Sequence, residues 1–199
     1  MFGAQSCAAT LVSSIELVTA AHCVRTRRPA SLDVVIGADN LCSTAPITGE
    51  RIQISAIHID PDPRLDRATL TTLHPATTPP ILTKPVPTQP AATGDLVAVG
   101  WGRDTRVGPS PCRKRAVPLV SATPAACRRA QVANPNRWHP AQLCATAAPG
   151  ATRNTCTGDS GGPVIATKPG TPPELVAITI WGIGCAPDQV GFYSPASGN

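Results

Sequence analysis

Apolar residues along this chain fall in short runs, at 32–36, 52–59, 96–99 and 175–180, set apart by turn-forming residues. Runs of this length and spacing predict strands, at the intervals of an all-β barrel protein. Long apolar stretches at helical spacing are few, and 23 prolines with 16 glycines in 199 residues argue further against a helical protein. The stretch 75–90, with Pro79-Pro80 and Pro85-Val86-Pro87, is too proline-rich for a central strand, because proline cannot donate to a ladder. It predicts a crossing between two barrels, one formed by residues 1–85 and the other by residues 86–199. A chain of this length can bury a core for that plan. No internal repeat is visible, which agrees with barrels alike in shape only.

Eight cysteines, none in a Cys-x-x-Cys pair, imply disulfides and an oxidising compartment. Four histidines scattered singly do not give the ligand spacing of a zinc site, and no metal is expected. The formal charge of +5 arises from 17 basic against 12 acidic residues, with basic clusters at 25–28, 113–115 and 128–129. Such clusters can form a polyanion-binding face. Arginine outnumbers lysine throughout, so a solvated surface in an arginine-favouring genome is the simpler reading. With 3% aromatic residues there is no stacking platform for a nucleic acid. Nor does the sequence contain an apolar run long enough for a membrane-spanning helix.

Two segments carry chemistry. Gly158-Asp159-Ser160-Gly161-Gly162-Pro163 offers a serine on a glycine-flanked turn, where backbone N–H groups can point at a developing oxyanion. Far upstream, Val18-Thr19-Ala20-Ala21-His22-Cys23 offers a histidine behind two small alanines and beside a cysteine. A serine hydroxyl is a weak nucleophile until a neighbouring base takes its proton, and that base needs an orienting acid.

Both segments match, nearly letter for letter, those of the chymotrypsin/trypsin-like serine peptidases. The chain resembles that family over nearly its whole length, through Val99-Gly100-Trp101-Gly102 and Ile180-Trp181-Gly182-Ile183-Gly184-Cys185. The resemblance implies an all-β fold of two antiparallel six-stranded-type β-barrels with the site in the cleft between them. It implies the order His, Asp, Ser along the chain, with His22 as general base, Ser160 as nucleophile and the N–H groups of Gly158 and Ser160 as oxyanion hole. Asp66-Arg67-Ala68-Thr69-Leu70 is the best match to the family's aspartate, with Arg67 and Thr69 as departures; Asp60 and Asp62 are its competitors. His58, His74 and His139 carry no expected role.

The same resemblance assigns substrate binding to Asn154, Thr155, Trp181, Gly182 and Gly191. Asn154 falls at the pocket floor and carries no charge, and the two glycines leave the entrance open. That combination implies cleavage after large apolar or aromatic residues. Ile180 stands where relatives carry a serine bonded to the catalytic aspartate, which implies a modest loss of orientation. Three disulfides are implied: Cys7–Cys23 bracing the histidine strand, Cys127–Cys144 in the second barrel and Cys156–Cys185 at the pocket walls. Cys42 and Cys112 then remain for each other. The expected protein is a secreted, monomeric endopeptidase without cofactor, acting on proteins or peptides. Its alanine-, proline-, threonine- and arginine-heavy composition is of the kind found in high-GC bacteria such as actinomycetes.

Relatives pair a freed Ile-Val-Gly-Gly-like chain end with the aspartate before the nucleophile, here Asp159, and close with a helix. The 199 residues hold neither element and no secretory leader, so the expected chain is truncated at both ends, a fragment of a secreted protease. Without that ammonium, Asp159 is expected to swing out to solvent or take up a proton, because an unpaired buried charge is costly. The oxyanion hole would then be partly collapsed and activity of this chain in doubt. A substitute cation is one alternative. A catalytically silent domain that binds a protein or polyanion partner is another.

Overall fold

The computed structural model describes residues 7–42, 49–83, 96–109 and 111–196. The first five strands are β1 (Thr10–Leu11), β2 (Glu16–Ala20), β3 (Asp33–Ile36), β4 (Glu50–Ile59) and β5 (Arg67–Thr72). They form one antiparallel sheet in the order β1-β2-β5-β4-β3. Their alternation sets which face is inside: Ala68, Leu70 and Thr72 of β5 are buried while the residues between them are half-buried. In β4 the register shifts between Ile54 and Ala56. The residue skipped, Ser55, donates its hydroxyl to the carbonyls of Thr71 and Thr72. One extra residue in a strand turns the following side chains to the other face, and so Ile52, Ile54 and Ile57 all join the core around Leu17, Val24 and Leu70.

The second half contains β6 (Leu82–Thr83), β7 (Leu96–Gly100), β8 (Arg115–Ser121), β9 (Leu143–Ala147), β10 (Pro163–Ala166), β11 (Glu174–Gly182) and β12 (Gly191–Pro195). Six of these close a barrel, β10-β7-β8-β9-β12-β11, because β11 pairs back onto β10; β6 adds to β11 in parallel from outside the ring. Closure removes the sheet edges and encloses Leu96, Ala98, Val117, Leu119, Leu143, Ala145, Val164, Val176 and Tyr193. The architecture is therefore a closed six-strand barrel beside a five-stranded half-barrel, the two-barrel plan with its first member open among the described residues. The expected junction at 85/86 lies outside the described residues, as do positions 1–6 and 197–199.

The two halves meet where β2 faces β11. Val18 and Ala20 from one pack with Leu175, Ile178, Ile180, Trp181 and Phe192 from the other. That explains why residues 175–181 of β11 are buried without alternation: one face lines the barrel and the other lies against the first sheet. Four disulfides reinforce the fold, Cys7–Cys23, Cys42–Cys112, Cys127–Cys144 and Cys156–Cys185. The Cys42–Cys112 bridge joins a loop after β3 to a loop before β8, beside the Asn40–Arg113 strand bridge.

Two short helices depart from the strand pattern. In α1 (Ala21–Val24) the chain turns directly out of β2, so His22 sits on a helical turn and not on a strand as expected. In α2 (Pro124–Ala133) Thr123 caps the first turn by accepting the N–H of Ala126, and Pro124 occupies the position where a missing N–H costs nothing. Cys127 ties α2 to β9 through Cys144. Among the described residues, no helix is long and apolar enough to cross a membrane.

Candidate active site

The antiparallel register of β2 and β5 pairs Ala20 with Arg67, which brings Asp66 opposite the start of α1. Three contacts lock that corner. The N–H of Ala21 donates to the Asp66 carbonyl at 2.8 Å, and the N–H of His22 donates to Asp66 Oδ1 at 2.8 Å. His22 Nδ1 then lies 2.6 Å from Asp66 Oδ2. A carboxylate only accepts hydrogen bonds, so Nδ1 is the donor, and in the neutral ring Nε2 then carries the lone pair. Asp66 adopts φ +49°, unusual for a residue with a side chain. The backbone there is held by both its carbonyl and its carboxylate.

The competing aspartates are engaged elsewhere. Asp60 pairs with Arg67 at 2.6 Å, and Arg67 also donates to the Pro195 carbonyl at 3.0 Å, tying β5 to β12. Asp62 pairs with Arg64 at 2.7 Å, whose guanidinium holds its carboxyl down to about 2. His139 lies 3.5 Å from Asp62, while His58 and His74 are exposed.

Ser160 and His22 line one cavity of about 330 Å³, together with Cys7, Cys23, Thr26, Arg27, Thr157 and Gly158. Ser160 is anchored by its own backbone: its carbonyl accepts the N–H of Ala8 at 2.8 Å, and the next residue, Gly161, donates to Thr179 at 2.7 Å. Glycine is required at 161, where φ is +81° and a Cβ would fall 2.2 Å from the Ala8 carbonyl oxygen. The serine turn is thus pressed against the strand that leads to His22. Cys7, His22 and Cys23 also converge closely enough to suggest a metal site, but both sulfurs are consumed in the Cys7–Cys23 disulfide and offer no thiolate.

The assigned substrate-binding residues lie outside this cavity's lining. Asn154 is buried, donating Nδ2 to the Gln189 carbonyl and accepting the N–H of Thr155 at 2.8 Å. Thr155 exchanges a hydrogen bond of 3.0 Å with the Tyr193 hydroxyl, whose own ionisation burial pushes upward. Gly182 and Gly191 pair across β11 and β12. Trp181 stacks on Phe192 with ring centroids 4.0 Å apart, and Arg137 lies over its ring at 5.0 Å.

Asp159 corrects the sequence reading most sharply. It neither swings out nor lies unpaired: the residue is 2% exposed, and Arg153 Nη2 donates to its Oδ2 at 2.9 Å. The N–H of Cys156 donates to the same oxygen at 2.9 Å, and the N–H of Gly102 to Oδ1 at 2.7 Å. Burial raises the Asp159 carboxyl above its ordinary range, opposed by these three donors; burial likewise pulls Arg153 below the usual guanidinium value. Arg153 was missed in the sequence, although a signal exists. Between Arg137 and Lys168 the chain contains a single cation, Arg153, and a single acid, Asp159. Arg25 was also missed as a partner of the site; its Nη2 lies 3.2 Å from Asp66 Oδ1.

Comparison with known proteins accords with this geometry. A family model described as Trypsin matches residues 2–198. The chain belongs to the trypsin family. It is 31% identical over 200 residues to a trypsin of Saccharopolyspora erythraea, covering 96% of this chain and 82% of that one. It is similarly 31% identical over 206 residues to a vitellin-degrading protease of Bombyx mori, covering 98% and 74%. Membership in the trypsin family supports serine endopeptidase activity on peptide or protein substrates; trypsin-like proteases are commonly secreted, and this chain carries four disulfides.

Proposed function

We propose that this chain is a secreted, monomeric serine endopeptidase in which Ser160 is the nucleophile, His22 the general base and Asp66 the orienting acid. The observation that carries the reading is the 2.6 Å His22–Asp66 contact at the edge of a cavity shared with Ser160. His22 Nε2 takes the Ser160 proton as the hydroxyl attacks the scissile carbonyl, then returns a proton to the leaving amine. Asp66 holds the tautomer and stabilises the imidazolium. The N–H groups of Gly158 and Ser160 receive the oxyanion of the tetrahedral intermediate, and water releases the acyl-enzyme by the same route. His22 and Asp66 belong to the first domain, residues 1–85, and Ser160 to the second, residues 86–199.

Selectivity for large apolar or aromatic residues before the scissile bond follows from a pocket built of Asn154, Thr155, Trp181, Gly182 and Gly191 with no carboxylate at its floor. A peptide-library digest showing cleavage only after arginine or lysine would contradict it. The main test is labelling of the disulfide-bonded chain by a fluorophosphonate probe, with Ser160→Ala as control. Stoichiometric label on Ser160 is expected. Absence of label would favour a silent protease-like domain that binds a protein or polyanion partner.

A further inference from the structure

Asp159 sits in a niche cut to its carboxylate. A Cβ on Gly102 would fall 2.0 Å from Oδ2, and one on Gly100 would fall 2.2 Å from Oδ1. Side chains at either position would displace the carboxylate. Its two oxygens take three donors, from Gly102, Cys156 and Arg153. Cys156 and Asp159 are the ends of the turn that displays Gly158 and leads into Ser160, and the N–H of Asp159 closes that turn on the Cys156 carbonyl at 3.0 Å. The carboxylate therefore staples the turn to the 100–102 segment.

A carboxylate this deeply buried is costly unless donors and an opposite charge compensate it. Arg153 supplies the opposite charge and is itself buried, 8% exposed. It also donates Nη1 to the Gly102 carbonyl and Nε to the Asn154 carbonyl, each at 3.3 Å. Among the described residues, the other charged groups facing the pair are Asp104, 4.0 Å from Arg153, and Arg115, which binds Asp104 at 2.7 Å and the Gly102 carbonyl at 3.1 Å. Tyr193, a further titratable neighbour, is held neutral by burial.

We infer that Arg153 is the positioning residue for the oxyanion turn: its side-chain guanidinium supplies, from within the fold, the cation that keeps Asp159 seated and residues 156–160 in shape. The inference rests on the proposed serine chemistry for its rate effects, but the hold on the turn is measurable without it.

The test compares the full disulfide-bonded chain with Arg153→Ala and Arg153→Lys. Arg153→Ala is expected to lower the rate of fluorophosphonate labelling by about 10²–10³, the scale of losing one oxyanion donor, with kcat falling more than KM changes on a peptide substrate. Millimolar guanidinium is expected to restore part of it. Arg153→Lys gives a second readout, independent of whether the alanine variant folds. A buried amine loses its proton at alkaline pH and a guanidinium does not. The lysine variant should therefore lose labelling on the alkaline side where the wild type holds a plateau.

Amide exchange separates this inference from the proposed function. In Arg153→Ala the N–H groups of Gly102 and Cys156 should lose protection even if the wild type never labels. Unchanged protection of those two amides, or a lysine variant with the wild-type pH profile, would each overturn it.

Discussion

The Arg25 guanidinium lies 3.2 Å from the same Asp66 oxygen that accepts the His22 N–H. Relatives are expected to offer this aspartate a serine hydroxyl from the place now held by Ile180, which is buried and apolar. Arg25 thus supplies an additional donor from another direction. Its side chain is 48% exposed, so the contact is screened and is worth roughly 0–1 kcal/mol. Arg25→Ala is expected to lower kcat/KM only a few-fold, and the difference should shrink as salt is raised.

Asp66 itself is a different matter. Asp66→Asn leaves the shape but reverses the tautomer demanded of His22, and a loss of about 10⁴ in kcat is expected, as in the template triad of this family. Asp60→Asn and Asp62→Asn should change kcat by less than tenfold, since those carboxylates serve Arg67 and Arg64. Steady-state rates on one peptide substrate for all three variants check the assignment.

The raised Asp159 carboxyl gives pH effects of opposite sign on stability and activity. Its ordinary value is 3.8, and burial lifts it in the folded chain. Between those two values the folded state binds more protons than the unfolded state, so this group's contribution to stability is present at low pH and lost as pH rises through the folded value. The seated, ionised carboxylate that shapes the turn is gained over the same interval. Melting temperature and labelling rate, measured through the acid range, should therefore move in opposite directions in the difference between wild type and Asp159→Asn. Taking that difference removes the contribution of Asp62, which acts in the contrary sense near pH 2.

Gly102→Ala places a methyl group where the Asp159 carboxylate now lies. Overpacking of this kind costs about 1–3 kcal/mol. The variant is expected to melt at lower temperature and to label slowly, whereas Gly150→Ala, where no atom lies within 4 Å of the added Cβ, should label at the wild-type rate despite the strain of φ +86°. Equal labelling of both variants would contradict the niche.

Cys42–Cys112 spans 70 residues and staples the first sheet's loop to the second barrel's. Removing it as the double serine variant is expected to destabilise by about 2–5 kcal/mol. Neither cysteine lines the His22–Ser160 cavity, so labelling per folded molecule should persist. Denaturant titration alongside probe labelling distinguishes the two effects.

Much of this protein was legible in local pattern. Strands β3, β4, β7 and β11 follow their apolar runs, because a strand's side-chain alternation and its turn residues are written within a few positions of each other. The segments around His22 and Ser160 were legible for a similar reason, since a glycine-flanked serine and an alanine-flanked histidine are contiguous requirements of backbone approach. What local pattern left open were choices among distant partners. Asp60, Asp62 and Asp66 differ little as letters, and the β2–β5 register is what sets Asp66 against α1. Arg153 reads as one more surface arginine until barrel closure buries it against Asp159 and strips both charges of water. A charge's partner depends on burial and on which strands pair. Both are properties of the folded chain, and they decided which cation holds the carboxylate beside the serine.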